Sequence, residues 1–224
     1  LAGNAALAQT PEPPQPVEGQ AGKDVVWIPS PRDMVEKMLE MARVTPQDYV
    51  IDLGSGDGRN VIAAARRGVR ALGVEYNPDL VAVSRRAAAT AGVAGKATFV
   101  RGDMYEADIS QATVLILFLL PDSLAKLSGK FRALKPGTRI VSNTYEIGGW
   151  YADETGRTTP CPSWCIASLY VVPAKVAGTW HLPDGELTLS QRRSAGVDGG
   201  GRHNGGRPRL RRARLDRLDP PDDL

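Results

Sequence analysis

Hydrophobic residues occur along this chain in two alternating patterns. Short uninterrupted hydrophobic runs are typical of strands buried on both faces, whereas hydrophobic residues that recur every three or four positions are typical of helices with one buried face. The runs predict strands at residues 49–53, 69–74, 97–100, 114–118, 139–143, 166–172 and 176–182. The recurring spacing predicts helices near residues 31–42, 60–67, 77–91 and 121–134, the first of them with Ser30 as its N-cap.

Strands and helices alternate as far as residue 143, apart from the strands at 97–100 and 114–118, which have no predicted helix between them. Two β segments then follow, again without a helix between them. Such alternation predicts βαβ units with right-handed crossovers, and therefore a parallel sheet. Residues 166–172 and 176–182 are predicted to form an antiparallel hairpin at one edge. The expected fold is α/β: a doubly wound, mostly parallel sheet with helices on both faces and an antiparallel edge hairpin.

Composition changes sharply near the end of the chain. The 224 residues are 42% hydrophobic and 24% charged, as in a globular protein, and no hydrophobic run approaches the roughly 18 to 20 residues of a transmembrane helix. Nine Arg and five Asp lie in residues 191–224, which leaves 19 basic and 20 acidic residues in the rest of the chain. Because the body of the protein is neutral, its charge argues against a nucleic acid as partner.

Three parts of the chain are distinguished. Residues 1–24 are interpreted as a candidate signal-peptide remnant, with Ala6 and Ala8 in the pattern that precedes a cleavage site, followed by a Pro-rich linker. A cleavage site here favours an exported or periplasmic protein; the alternative, a frayed Ala-rich end, favours a cytoplasmic one. Residues 25–190 are the expected domain. Residues 191–224, rich in Gly and Arg, are expected to be disordered, with a nucleic-acid-binding tail as the alternative.

The loop after the first strand is the strongest candidate for a ligand site. It reads Asp52-Leu53-Gly54-Ser55-Gly56-Asp57-Gly58-Arg59. Alternate glycines let backbone N–H groups approach a ligand more closely than an ordinary turn requires. The spacing differs from the dinucleotide fingerprint G-x-G-x-x-G, because Arg59 stands where the third glycine would be. The negative charges of Asp52 and Asp57 disfavour a pyrophosphate and suit the cationic amino-acid end of S-adenosylmethionine.

Acidic residues also stand at the ends of the next two predicted strands. Glu75 ends the second strand, where a carboxylate can accept hydrogen bonds from both ribose hydroxyls. Asp103 follows the third strand, where it can accept from an adenine amino group beside the apolar Met104. Because parallel strands open onto one crevice at their carboxyl ends, Asp52, Glu75 and Asp103 are expected to converge on a single ligand.

Residues 27–150 resemble the class I, Rossmann-like methyltransferases that use S-adenosylmethionine. The resemblance is carried by residues 52–58, by Gly73-Val74-Glu75 and by Gly102-Asp103-Met104. It implies a seven-stranded sheet of order 3-2-1-4-5-7-6 with the last strand antiparallel. It also implies binding of S-adenosylmethionine and transfer of its methyl group.

A narrower resemblance is carried by Ile28-Pro29-Ser30-Pro31, residues 52–59 and Glu75-Tyr76-Asn77-Pro78. These segments are similar to a bacterial, often exported group of methyltransferases and to the mitochondrial lysine methyltransferases of the ADP/ATP carrier and of the ATP synthase c-ring. The likeness implies that Pro29, Ser30, Tyr76 and Asn77 contact the cofactor. It also implies closing β segments after Gln191, where this chain departs from the pattern.

The sequence leaves the methyl acceptor open. A protein lysine is favoured by the family likeness, ahead of a small molecule or a lipid. Leu119, Leu120 and Pro121 predict an apolar wall near the methyl group, without the Asn/Asp-Pro-Pro-aromatic clamp of adenine and glutamine methyltransferases. Asp122 and Tyr145 are the nearest polar residues, but capping or packing explains each of them better, so no catalytic residue is assigned.

Histidine and cysteine residues indicate no metal site. His181 lies in a predicted strand and His203 in the tail, and the spacing of Cys161 and Cys165 is one residue wider than the common zinc spacing. Two free thiols are expected, or a disulfide if the protein is exported. Three aromatic residues near these cysteines either cover the acceptor pocket or pack beneath their loop: Trp150, Tyr151 and Trp164.

Two other functions remain alternatives. A nicotinamide-dependent Rossmann oxidoreductase is disfavoured by Arg59 and by the spacing of the glycine loop. A non-catalytic cofactor-binding or vestigial protein is suggested by the unusual tail.

Overall fold

A computed structural model describes residues 16–20, 22–23, 26–176, 178–182 and 185–189. Of the predicted signal-peptide remnant and linker at residues 1–24, residues 1–15, 21 and 24 lie outside the described residues, as does the whole of the predicted disordered tail at residues 191–224. The helices of the described residues are α1 Arg32–Met41, α2 Arg59–Arg66, α3 Pro78–Thr90 and α4 Pro121–Arg132. The strands are β1 Tyr49–Leu53, β2 Arg70–Glu75, β3 Ala97–Arg101, β4 Val114–Leu117, β5 Arg139–Asn143, β6 Glu154–Arg157, β7 Ile166–Val171, β8 Gly178–Leu182 and β9 Gly185–Leu189.

Seven strands form one sheet in the order β3-β2-β1-β4-β5-β7-β6. β1 to β5 run parallel to one another, as βαβ connections require. β7 is antiparallel to both β5 and β6. The predicted fold class and the strand order implied by the resemblance are therefore confirmed.

The antiparallel edge differs from the predicted hairpin. β7 pairs with β6, whereas the segment at residues 176–182 supplies β8, which pairs with β9 in a separate two-stranded sheet. The predicted pairing of residues 166–172 with 176–182 was wrong because the sequence did not reveal β6. This strand, with the sequence ETGR, is a largely exposed edge strand without the hydrophobic run that marks a buried strand. The last strand that joins the large sheet in the described residues, β7, ends at Val171. The closing segments expected after Gln191 lie outside the described residues.

The two faces of the large sheet pack against different helices. Side chains alternate along β1, so Val50 faces α1, α2 and α3, whereas Ile51 and Leu53 face α4. Long side chains fill both cores: Met34, Met38, Leu39 and Val61 on the first face, and Leu124, Leu127 and Phe131 on the second. Because both faces are covered, the carboxyl ends of the parallel strands are the open side at which a ligand can bind.

The predicted helix ends are only partly correct. Asn77 caps α3, and its side chain accepts a hydrogen bond from the backbone N–H of Asp79 at 2.9 Å. Ser30 does not cap α1; Pro31 occupies that position without a side-chain cap. The Ser30 hydroxyl is instead buried and accepts a hydrogen bond from Asn143 Nδ2 at 3.3 Å. Within the part of the chain described, no helix is both long enough and apolar enough to cross a membrane.

Candidate active site

A cleft of ≈ 960 Å³, measured to its open mouth, lies at the carboxyl ends of β1 to β5. Six of the predicted site residues line it: Gly54, Glu75, Tyr76, Asn77, Asp103 and Met104. The other lining residues are Gly22, Lys23, Val26, Trp27, Ile28, Val74, Leu80, Gly102, Phe118, Leu119, Leu120, Tyr145 and Trp164.

The glycine loop turns sharply between β1 and α2. Gly54, Gly56 and Gly58 have φ angles of 71°, 55° and 81°, a region that glycine adopts without steric cost. A Cβ on Gly56 would overlap the indole nitrogen of Trp27, and one on Gly58 would lie 2.6 Å from the ring of Phe99. Gly54 lines the cleft itself, so the three glycines have different roles: one leaves the cleft open, and two admit neighbouring aromatic rings.

Glu75 joins the glycine loop to the start of α3. Its Oε2 accepts a hydrogen bond from the backbone N–H of Gly56 at 2.9 Å, and its Oε1 accepts from the backbone N–H of Asn77 at 2.8 Å. Each carboxylate oxygen can accept more than one hydrogen bond. Glu75 is therefore fixed in position on the cleft wall and retains acceptor capacity for a ligand.

Asp52 lies beside the cleft rather than in it. It faces α2, on the same side of β1 as Val50, and only 2% of its surface is exposed. Its Oδ2 accepts a hydrogen bond from Asn60 Nδ2 at 3.1 Å. Burial raises the pKa of the Asp52 carboxyl well above its ordinary value. The hydrogen bond from Asn60 lowers this pKa, whereas the negative charges of Glu75 and Asp57 raise it further. The expectation that Asp52 points into the crevice is wrong, because strand alternation directs it to the helix side.

Asp103 faces the cleft at the end of β3. Its Oδ2 lies 2.5 Å from Lys23 Nζ, and its Oδ1 accepts a hydrogen bond from the backbone N–H of Tyr105 at 2.9 Å. These two interactions hold the pKa of the Asp103 carboxyl below its usual value. Lys23 also lies 5.1 Å from the centre of the Tyr76 ring. Of the three acids predicted to converge, Glu75 and Asp103 share the cleft.

The remaining predicted residues lie behind the glycine loop. Asp57 forms an ion pair with Arg59 at 2.6 Å, and Arg59 Nη1 donates to the carbonyl of Ser30 at 2.7 Å. Pro29 precedes this contact and is half-buried. The Ser55 hydroxyl is buried against β2, with no hydrogen-bond partner in the described structure. The Pro29–Ser30 turn is thus tied to the glycine loop through Arg59, but neither residue lines the cleft.

Five residues of the N-terminal segment line the cleft, although two of them precede the predicted domain and three lie at its start: Gly22, Lys23, Val26, Trp27 and Ile28. The backbone N–H of Trp27 donates to the carbonyl of Gln20 at 2.9 Å, and that of Gly19 donates to the carbonyl of Trp27 at 2.8 Å. This small hairpin holds the Trp27 indole against Gly56. Sequence reasoning missed Lys23 and Trp27 because the Pro-rich stretch before them carries no periodic pattern; the signal was the pair Trp27-Ile28, two large hydrophobic residues before the first helix.

The ends of β4 and β5 form the other half of the cleft. Phe118, Leu119, Leu120 and Tyr145 line it together with Trp164, whose ring centre lies 5.4 Å from that of Phe118. The predicted apolar wall is therefore present at Leu119 and Leu120, and three aromatic rings line the cleft beside it: Phe118, Tyr145 and Trp164. Two further candidates do not line the cleft: Trp150 packs on Tyr170 with ring centres 5.6 Å apart, and Tyr151 is 63% exposed.

Cys161 and Cys165 form a disulfide in the loop before β7, with 5.7 Å between their Cα atoms. Of the two alternatives that the sequence left open, free thiols and a disulfide, the structure has the disulfide. The turn that brings the two residues together contains Trp164 in a left-handed backbone conformation, with φ of 59°. The sequence does not reveal this turn, because a non-glycine residue rarely adopts that conformation.

The lining groups fit S-adenosylmethionine. The carboxylates of Glu75 and Asp103 can accept hydrogen bonds from ribose hydroxyls and an adenine amino group, and Leu80 and Met104 offer apolar surface to a purine. A Cβ on Gly54 would lie 3.4 Å from Leu119, an ordinary contact distance, so its positive φ of 71° is what favours glycine at this point.

Comparisons with known proteins point to the same cofactor. A family model described as the ANTKMT methyltransferase domain matches residues 52–154. The chain is 43% identical over 133 residues to a protein-lysine N-methyltransferase of Saccharolobus islandicus, an alignment that covers 58% of this chain and 83% of that protein. It is 35% identical over 128 residues to the adenine nucleotide translocase lysine N-methyltransferase of Mus musculus, covering 56% of this chain and 56% of that protein.

Among solved structures, an RNA methyltransferase from Salinibacter ruber in complex with S-adenosyl-L-homocysteine is 42% identical. The match has a TM-score of 0.63 and covers 66% of this chain and 96% of that chain. Fold, cleft and relatives together define a class I S-adenosylmethionine-dependent methyltransferase. The chain belongs to the methyltransferase family of the Saccharolobus islandicus protein-lysine N-methyltransferase. The predicted enzyme class and cofactor are confirmed, and the oxidoreductase and non-catalytic alternatives are set aside.

Proposed function

We propose that this enzyme transfers a methyl group from S-adenosylmethionine to the Nζ atom of a lysine in another protein. Relatives at 43% and 35% identity that carry lysine methyltransferase names support this acceptor. The mouse relative supports it less directly, since the alignment spans little more than half of that protein.

The order of the lining residues follows the order of the strands and divides the cleft in two. We call the ends of β1, β2 and β3 the cofactor half; Gly54, Glu75 and Asp103 belong to it. We call the ends of β4 and β5 with the loop before β7 the acceptor half; Leu119, Tyr145 and Trp164 belong to it. The cofactor, held in the first half, supplies a methyl group on a sulfonium that is already strongly electrophilic.

The acceptor half carries the proposal because its side chains are apolar and aromatic. Phe118, Leu119, Leu120, Tyr145 and Trp164 include no carboxylate and no cation. Such a surface suits the long hydrocarbon stem of lysine, and aromatic faces attract its cationic head. A lysine amine that leaves water for an apolar site has a lowered pKa, because desolvation disfavours its charged form.

Proton loss to water before attack accounts for the reaction without an assigned base. The neutral amine then brings its lone pair to the methyl carbon while the bond from that carbon to sulfur breaks. The contribution of the chain is to hold both reactants at reactive distance and to exclude bulk water from them.

RNA is the second candidate acceptor, since the relative from Salinibacter ruber is named an RNA methyltransferase. Proteins that bind single-stranded RNA combine a positively charged groove with stacking aromatic rings. The cleft here has the rings, but the charged residues that line it are Glu75, Asp103 and Lys23, and Lys23 forms an ion pair with Asp103. This charge distribution favours a protein acceptor over RNA.

The acceptor class can be tested with tritiated-methyl S-adenosylmethionine and a desalted bacterial cell lysate. We expect label that resists ribonuclease, is released by proteinase, and appears as methyllysine after acid hydrolysis. Glu75→Ala serves as the inactive control, and Asp79→Ala, an exposed acid near the cleft, as the matched active control. Label that ribonuclease removes, or the absence of methyllysine, would contradict the proposal.

A further inference from the structure

The loop that carries Trp164 is closed on itself. The disulfide between Cys161 and Cys165 joins residues only four positions apart, so it constrains this turn rather than the path of the chain. Pro162 and Ser163, inside the turn, are exposed, whereas Trp164 is half-buried and lines the cleft. Its φ of 59° is rare for a bulky residue, so its position depends on the surrounding structure.

One side of this turn is anchored to the sheet. The carbonyl of Cys165 accepts a hydrogen bond from the backbone N–H of Thr158 at 3.1 Å, and the carbonyl of the next residue, Ile166, accepts from the backbone N–H of Thr144 at 2.7 Å. Cys165 is thus fixed at the start of β7. The disulfide ties Cys161, on the other side of the turn, to that fixed point.

Trp164 contacts the acceptor half from this turn. Its ring lies 5.4 Å from that of Phe118, at the end of β4, with 59° between the ring planes. Phe118 precedes Leu119 and Leu120 in the apolar wall. The cofactor half is built from the ends of other strands, so a shift of Trp164 changes the acceptor half while leaving Glu75 and Asp103 in place.

We propose that the Cys161–Cys165 disulfide is a positioning element that holds Trp164 in the acceptor half, so that acceptor binding depends on the redox state of these cysteines. Reduction by a dithiol breaks the sulfur–sulfur bond and gives two thiols, while the dithiol supplies two electrons and two protons and becomes a cyclic disulfide. The turn then loses its closure, and Trp164 leaves its fixed position. The acceptor part of this inference rests on the proposed function.

Four proteins test the inference: wild type, the double variant Cys161→Ser with Cys165→Ser, Trp164→Ala and Trp164→Phe. Each is assayed with and without dithiothreitol at several concentrations of desalted lysate protein. Reduction of wild type should raise the half-saturating lysate concentration about fivefold, with the maximal rate and the affinity for S-adenosylmethionine unchanged. The double variant should show the raised value in both conditions. Trp164→Ala should be insensitive to reduction, and Trp164→Phe should retain part of the wild-type response.

A second readout does not depend on activity. Acrylamide quenching of the Trp164 fluorescence, taken as the difference between wild type and Trp164→Phe, should increase on reduction. The inference would be overturned if reduction changed neither the quenching nor the half-saturating lysate concentration of wild type, and if the double variant also had the half-saturating concentration of oxidised wild type. If oxidised wild type labels no protein, the proposed function fails, whereas the quenching experiment still tests whether the disulfide holds Trp164.

Discussion

The two halves of the cleft are built on different principles. In the cofactor half, carboxylates stand at the ends of regular strands, and backbone N–H groups of Gly56 and Asn77 fix Glu75 in place. In the acceptor half, apolar and aromatic side chains come from the ends of β4 and β5 and from an irregular loop closed by a disulfide. The first half is polar and rigidly connected, and the second is apolar and depends on a loop.

This difference matches the tasks of the two halves. S-adenosylmethionine is the same molecule in every turnover and offers hydroxyl, amino and charged groups, so hydrogen-bonding groups fixed on strand ends suit it. The acceptor has to be admitted, desolvated and released, which an apolar surface on a loop allows. Changes in the cofactor half should therefore alter affinity for S-adenosylmethionine, and changes in the acceptor half should alter the use of the acceptor.

The largest effect is expected from Glu75→Ala. This change removes an acceptor from the cleft and leaves the N–H groups of Gly56 and Asn77 unpaired, and hydrogen bonds to charged groups contribute about 1.5–3 kcal/mol each. Affinity for S-adenosylmethionine, measured by isothermal titration calorimetry, should fall about 100-fold, a loss of roughly 2.7 kcal/mol. Asp79→Ala should bind like wild type; equal affinity of Glu75→Ala and wild type would remove Glu75 from the cofactor half.

Gly56→Ala should have the next largest effect. The new methyl group would overlap the indole of Trp27 and displace that ring from the cleft. Gly92→Ala is the matched control, because Gly92 also has a positive φ, 69°, but an added Cβ there meets nothing within 4 Å. Gly56→Ala should weaken binding of S-adenosylmethionine by on the order of 10-fold relative to Gly92→Ala. Equal affinities of the two variants would mean that the position of Trp27 does not affect binding of the cofactor.

Substitutions of Asp52 test whether its buried carboxyl contributes to the stability of the fold. Its raised pKa means that the folded protein holds this proton to higher pH than the unfolded chain, whose value is near 3.8. The wild-type free energy of unfolding therefore loses a contribution as the pH rises above 3.8 through the raised folded pKa. Asp52→Asn cannot ionise, so its stability relative to wild type should increase over this pH range in urea unfolding.

Asp52→Ala supplies the comparison. It leaves Asn60 without its partner and should lower the free energy of unfolding by about 1–3 kcal/mol. If Asp52→Asn instead becomes less stable than wild type as the pH rises, the buried carboxyl is ionised and the account of its environment is wrong.

The smallest effect is expected from Lys23→Met. The ion pair with Asp103 is partly exposed, with side-chain exposures of 38% and 18%, and such pairs contribute about 0.2–1 kcal/mol. Affinity for S-adenosylmethionine should fall by roughly two- to fivefold at low salt and less at high salt. Lys126→Met removes a charge from α4 outside the cleft and should leave the affinity for S-adenosylmethionine unchanged. If Lys126→Met lowered this affinity as much as Lys23→Met does, the cause would be the net charge of the protein and not the ion pair with Asp103.

The cofactor half could largely be predicted from the sequence because its residues follow consecutive strands that the hydrophobic runs reveal. Gly54, Glu75 and Asp103 come together through sheet topology alone. The side chain of Asp52 was predicted to point into the cleft because the motif shows only that this residue stands near the end of β1. The alternation of side chains along the strand decides which face of the sheet its carboxyl lies on. Trp27 was missed because its contact with Gly56 is a tertiary one.

The acceptor half could be predicted only where it continues a strand, at Leu119 and Leu120. Trp164 was a candidate, but its position depends on its own left-handed backbone conformation and on the Cys161–Cys165 disulfide. The local sequence does not predict that conformation, and the spacing of the cysteines left free thiols or a disulfide open. β6 was missed for the related reason that an exposed edge strand needs no hydrophobic run.

The division of the cleft is tested most directly by a crystal structure of the protein with S-adenosyl-L-homocysteine. The account predicts ribose hydroxyl oxygens within about 3.2 Å of the Glu75 carboxylate and the adenine beside Asp103 and Met104. The sulfur should then face Leu119 and Tyr145. An adenosine bound against Phe118 and Trp164 would contradict it.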